Sequence, residues 1–133
     1  MKEPLLDTDI ISYYLRNNAN VSREMKLAYE QYGYLSMSVV SYYEVINGLL
    51  FKDAKGQLKS FEQLIQSFQI IPLDTAIANI AAQIFADLRR NNQIVAHTDV
   101  LIGATALHYQ MKLVTNNQAH FSRIPNLELD NWV

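Results

Sequence analysis

Between residues 75 and 90, Ile77, Ile80, Ala81, Ile84, Phe85 and Leu88 recur at steps of three and four, which puts an apolar stripe on one face of a helix. The stretch 38–51 carries the same period, with Ser38 placed to cap it, and 57–68 sets Leu58, Phe61, Leu64, Ile65 and Phe68 on one side. A short helix is expected over 10–16, and Asp74 and Thr98 stand where caps for the helices after them would stand. Between these segments lie short apolar runs at 4–6, 34–37, 69–72 and 112–115, with a weaker one at 127–129. Each reads as a strand. Strands alternating with helices imply a mostly parallel sheet covered on both faces, because parallel neighbours need a crossover connection. In such a sheet the ligand site lies beyond the carboxyl ends of the strands.

The totals narrow the function. At 133 residues, half of them apolar and 18% charged, the chain is expected to form one domain over 1–133 with a true core. Four glycines and three prolines leave no convincing linker. The net charge of -2 argues against a surface coated for nonspecific nucleic-acid binding while leaving room for a local basic edge. The absence of cysteine removes disulfides, thiol catalysis and thiolate zinc sites. No apolar stretch approaches the roughly 18 residues of a membrane span, and early acids interrupt any signal-peptide core, so a cytoplasmic protein with no membrane partner is expected.

Four acids stand out from apolar settings. Asp7 and Asp9 close the run "LLDTDII", and Asp7 falls where the first strand should end. Glu44, in "SVVSYYEVINGLL", and Asp99, in "VAHTDVLIGATAL", are each the lone acid of a long, largely apolar helical segment with no basic residue beside them in sequence. A charge on a mostly buried helix is costly to desolvate and usually has a partner. Carboxylates gathered at one strand edge repel each other unless a cation neutralises them, and oxygen ligands favour magnesium or manganese over zinc. Such an ion can activate a water against phosphate, so phosphodiester hydrolysis is the implied chemistry. Blander readings stand beside this one. Asp9 is equally suited to start the helix over 10–16, His97 and His108 read as surface or satisfied core residues, and the tyrosines, Tyr42 and Tyr43 among them, read mainly as packing. Arg89 and Arg90 suit the dipole at a helix C-terminus before they suit a phosphate.

With these residues in place, the sequence resembles the PIN-domain ribonucleases, and within them the VapC-like toxins of bacterial type II toxin-antitoxin pairs. "LLDTDIISYYL" is similar to the family's opening strand and helix, with Asp7 at the first metal-binding acid; "LSMSVVSYYEVINGL" puts Glu44 at the second and "HTDVLIGATAL" puts Asp99 at the third. The closing "LVTNNQAHFSRIPNLELDNW" resembles the family's final strand, Thr-x-Asn turn and Trp. The resemblance implies a three-layer α/β/α sandwich around a short, mostly parallel sheet. It also implies magnesium-dependent cleavage of structured RNA, transfer or ribosomal, inhibition by a VapB-like antitoxin, and a homodimer. Where many members carry an acid after the Thr or just before the Phe, this chain has Asn116 and His120.

On that basis Asp7 and Asp99 are expected to bind the ion, Glu44 to bind it or orient the attacking water, and Asn116 and Asp9 to support from the rim, Asn116 as a possible oxygen donor. Arg16, Arg89, Arg90 and Arg123 are the candidate RNA contacts. His120 is either a helper at the RNA phosphate or a surface residue, the second being preferred. Two rivals remain: an aspartyl phosphatase, which "DTD" after a strand would also suit, and a noncatalytic PIN-like or receiver-like module. For a receiver, Asp53 sits in the polar stretch "FKDAKG" rather than at a strand end.

Overall fold

The computed structural model describes all residues, 1–133. The first strand, β1 (Pro4–Leu6), pairs in parallel with β4 (Lys112–Val114), which pairs in parallel with β5 (Leu129–Asp130). A second parallel pair, β2 (Leu35–Ser38) and β3 (Phe68–Ile71), lies alongside, with β2 next to β1. Every strand expected from the apolar runs is present, and every pairing is parallel.

Successive residues in a strand face opposite ways, and this chain uses both faces. Leu6 and Val114 point into a core shared with α1 (Thr8–Leu15), α2 (Ala19–Tyr32), α3 (Val39–Phe51) and α4 (Lys55–Leu64), closed by Trp132. Leu5 and Leu113, one residue earlier in each strand, point into a core with α6 (His97–His108) and α7 (Gln118–Phe121). The long helix α5 (Thr75–Arg90) seals α6 through Ile77, Ala81 and Leu88, three residues of the stripe or its immediate neighbours in spacing. The result is the α/β/α sandwich that the alternation of elements implied. Burial on both faces also explains why the strands are uniformly apolar rather than alternating.

The caps locate the helices. Ser38 ends β2 and caps α3 by accepting from the Val40 N–H at 3.0 Å, and Asp74 caps α5 from Ile77 at 2.9 Å. Three expectations shift. Thr98 is not a cap: the cap position is Ala96, two residues earlier, and α6 begins at His97, so Thr98 and Asp99 fall inside its first turn. The helix expected over 57–68 runs over Lys55–Leu64, tightens into a 3-10 turn at Ile65–Ser67, and yields Phe68 to β3. Asp9 does not start α1; Asp7 does, accepting from the Thr8 N–H at 2.8 Å. Helix α2 is a further element that the spacing argument did not single out. Its buried face is only Val21, Met25 and Ala28, between an Asn18 cap and Gly33 in the left-handed region at φ 80°.

Helix α6 is buried on nearly all sides, and at Gly103 the C-terminal segment comes closest. A Cβ there would stand 2.7 Å from Ile124 Cδ1 and 3.4 Å from Leu127 Cδ2. Gly103→Val overfills this contact, and a loss of about 1–3 kcal/mol is expected. A denaturant midpoint that falls with no change in slope is the measurement that checks it.

Candidate active site at the carboxyl ends of the strands

The parallel pairing of β1 with β4 carries one residue past the strands, where the Asp7 N–H donates to the Val114 carbonyl at 3.0 Å. That bond fixes the Asp7 side chain at the sheet's carboxyl edge, only 5% exposed. Its Oδ1 takes the Thr8 N–H, and its Oδ2 takes the Thr115 hydroxyl at 2.8 Å, from the first residue after β4. Burial, and then the charge of Asp9, push the Asp7 carboxyl up to about 7, with Asp99 adding to the rise and the two hydrogen bonds working against it. Asp7, Asp9 and Asp99 therefore face a common space.

Each of the other acids has its own holder. Asp9, in the first turn of α1, accepts the Asn116 backbone N–H at 3.0 Å through Oδ2, while its Oδ1 is buried with no partner. Burial raises its carboxyl too, and the Asn116 N–H opposes the rise. Glu44, on the second turn of α3, accepts the Thr8 hydroxyl at 2.6 Å. Asp99, in the first turn of α6, lies 3.4 Å from His120 Nδ1; burial raises its carboxyl, His120 lowers it, and Glu44 raises it again. The four acids thus come from three helices and a strand end and sense one another's charge. Their oxygens do not yet converge on one point, since Glu44 turns to Thr8 and Asp99 to His120.

An unpartnered buried carboxylate oxygen costs desolvation that nothing in the protein returns. Asp9 Oδ1 is such an atom, beside a desolvated Asp7 and with His120 the one basic side chain in contact with the acids. A divalent ion would satisfy all of this at once, and an all-oxygen donor set suits magnesium or manganese. The residues fit that group.

The remaining candidates divide. Asn116 reaches the acids through its backbone N–H, because its side-chain Oδ1 accepts from Asn131 at 2.9 Å and its Nδ2 donates to the Tyr13 hydroxyl at 3.2 Å. His120, read from sequence as a surface residue by preference, is exposed and also stands against Asp99, with Asn117 Nδ2 at 2.9 Å from the same ring nitrogen. Arg90 pairs with Asp87 at 2.6 Å, Arg89 lies over the Phe85 ring, and Arg123 donates to the Ile94 carbonyl at 2.7 Å, so none of the three touches the acids. His97 stacks on Phe85 and His108 meets Tyr109 edge-on, as packing residues do. Thr8 and Thr115 were missed. Their signal was local, a hydroxyl directly after Asp7 and another directly after a strand that pairs with the Asp7 strand.

The site so built defines a class, α/β proteins with an acid-lined cleft at the carboxyl ends of a parallel sheet. Among known families, the PIN domain matches residues 5–127. The chain belongs to the PIN-domain family, and its relatives there are VapC-like. It is 29% identical over 124 residues to Ribonuclease VapC10 of Mycobacterium tuberculosis, spanning 93% of this chain and 90% of that one. It is 28% identical over 130 residues to the tRNA(fMet)-specific endonuclease VapC of Shigella flexneri, 96% of each. The crystal structure of DNA-bound VapBC from Salmonella typhimurium superposes at a TM-score of 0.89 with 26% identity, over 100% of both chains. VapBC2 from Rickettsia felis, bound to a promoter fragment, shares the fold at a TM-score of 0.89 and 23% identity, over 98% of each.

A carboxyl that titrates near 3.8 when unfolded and at about 7 when folded keeps, in the folded state, a proton that the unfolded chain has released across that window. The stability it contributes is whole below about pH 4 and is lost as pH rises through 7, by an amount on the order of a few kcal/mol. Asp7→Asn cannot ionise. In chelator at pH 8 it is expected to unfold on the order of 5 °C above the native chain, with the gap closing toward pH 4, as thermal melts across pH would record.

Proposed function

We propose that the protein is a divalent-metal-dependent endoribonuclease, a single PIN-like domain over residues 1–133 that acts in the cytoplasm as the toxin of a toxin-antitoxin pair. The observation that carries the proposal is the buried Asp7 carboxylate beside the unpartnered Asp9 Oδ1, in a chain of the PIN family. Relatives named ribonuclease and endonuclease support RNA as the substrate, and the Shigella relative's name supports a structured RNA such as transfer RNA over a random strand. The VapBC neighbour from Salmonella supports a VapB-like antitoxin as the partner. A homodimer is the working form in this proposal.

In this scheme Asp7, Glu44 and Asp99 would hold magnesium, or manganese, with Asp9 beside them and Asn116 steadying Asp9 through its N–H. The chemistry that a bound ion supplies is acidification of a water and neutralisation of charge on the leaving oxygen. Asp7 would have to be deprotonated to hold the ion. Thr115 and the Thr8 N–H aim its two oxygens, so that little reorganisation is needed. The Thr8 hydroxyl tethers Glu44 and brings the α3 acid to the same edge, while His120 does the same for Asp99. No helix is long and apolar enough to cross a membrane.

Expression in bacteria followed by mapping of new RNA ends tests the proposal. Discrete new ends and growth arrest are expected from the native chain, with cleavage by purified Asp7→Asn or Asp99→Asn lower by on the order of 100-fold or more at unchanged fold. Full activity in Asp7→Asn would contradict it, as would cleavage that survives removal of divalent ions. Thr115→Val keeps the acids and removes one holder, and a loss of roughly 10–100-fold in ion affinity is expected by calorimetry.

A further inference from the structure

Of the four arginines named from the sequence, Arg89, Arg90 and Arg123 are engaged away from the acids, which leaves Arg16 and the question of how a polyanion would be held. Helices α1 and α3 pack against each other, joined at the acid site by the Thr8 hydroxyl on Glu44. From that bond two helix faces run on: Thr8, Ser12 and Arg16 at four-residue steps on α1, and Glu44, Gly48 and Lys52 at the same steps on α3. All six residues line one cleft of about 250 Å³. Eight residues of helix rise about 12 Å, so the cations stand one to several phosphates away from the acids rather than among them.

The cleft has three properties of a backbone track. Its floor is open: a Cβ added at Gly48 would meet nothing within 4 Å. Its near end has carboxylates suited to an ion, and its far end has two exposed cations outside the ion-paired set, which consists of Lys2, Arg90, Lys112 and His120. Arg16 is also held in place, its Nε donating to the Ser12 carbonyl at 3.3 Å and its guanidinium 4.6 Å over the Tyr13 ring, so its remaining N–H groups are free. Gln57, from the start of α4, adds an amide to the rim. A guanidinium fixed on an aromatic face presents donors to phosphate at little entropic cost.

We infer that the α1–α3 cleft is the track for the RNA strand beside the scissile bond, with Arg16 and Lys52 gripping a neighbouring phosphate and Gly48 leaving room for the chain to pass. This rests on the ribonuclease reading and deepens it. Both cations also end their helices, Arg16 at α1 and Lys52 at α3, where a positive charge complements the carbonyls. A purely helix-capping role would change stability and leave RNA affinity alone, so the two roles separate by measurement.

The test uses a fluorescein-labelled RNA hairpin with a single-stranded loop for binding, in the Asp7→Asn background so that it is not cut, and cellular RNA cleavage for turnover. Replacing Arg16 and Lys52 together by Ala is expected to weaken RNA binding at least tenfold and to lower the slope of log affinity against log salt by about 1.4, roughly 0.7 for each lost phosphate contact on a single strand. Arg16→Lys with Lys52→Arg should restore most of the slope. Gly48→Leu fills the track without adding or removing charge. It should raise KM at least tenfold with kcat within twofold, and raise thermal stability, since Gly is a poor interior helix residue. Unchanged affinity, slope and KM in both variants, with native RNA cleavage intact, would overturn the track and assign the cleft to a protein partner or to helix capping alone. A native chain that neither binds nor cuts RNA would instead remove the ribonuclease reading itself.

Discussion

The structure turns on one carboxylate taken out of water. Asp7 sits where β1 ends, fixed by its own N–H on β4 and by two donors, Thr8 and Thr115, on its side-chain oxygens. A carboxylate so placed is held at about 7 by burial and by the charges of Asp9 and Asp99. Nothing in the packing of β1 requires an acid there; Leu5 and Leu6 fill the two cores without it. The fold therefore tolerates a stored electrostatic cost at its edge, and such costs concentrate where a protein binds something.

Three layers of structure converge on that edge. Helix α1 begins at Asp7 and brings Thr8 and Asp9; α3 begins one residue after β2 and brings Glu44; α6 begins after the 91–96 connection and brings Asp99 in its first turn, where an acid also suits the dipole. The last segment supplies holders rather than acids: Thr115, the Asn116 N–H and His120. An imidazole beside Asp99 and an amide beside Asp9 leave the count of carboxyl groups at four, with the geometry kept by hydrogen bonds. Charge comes from the first three quarters of the chain, Asp7 to Asp99, and orientation largely from the last quarter.

Much of this was legible before the structure. The apolar runs located all five strands, the stripe in 75–90 matched α5 at both ends, and the isolation of Glu44 and Asp99 in apolar helices marked them as residues needing a partner. The failures share a cause. Helix α2 buries three residues on a narrow face amid charged neighbours, so its period is faint. The partners of the acids are not local: the Thr8–Glu44 bond spans 36 residues and the Thr115–Asp7 bond 108, distances at which only the fold pairs them. The arginines near Asn91 were misleading for a related reason, since charge is visible in a sequence while its engagement by Asp87, Phe85 or a backbone carbonyl is not. Gly48, read alone, is an interior helix glycine; beside Arg16 and Lys52 it becomes a floor.

In the proposed mechanism the desolvated acids, Asp7 first among them, form a cation site that is protonated when empty. Titration calorimetry of magnesium or manganese into the protein, repeated near pH 6 in buffers of different ionisation enthalpy, measures this directly. The account predicts release of close to one proton per ion at that pH, falling away above pH 8, with affinity rising as pH passes through about 7. Ion binding with no proton released and no dependence on pH, or no binding at millimolar metal, would contradict it.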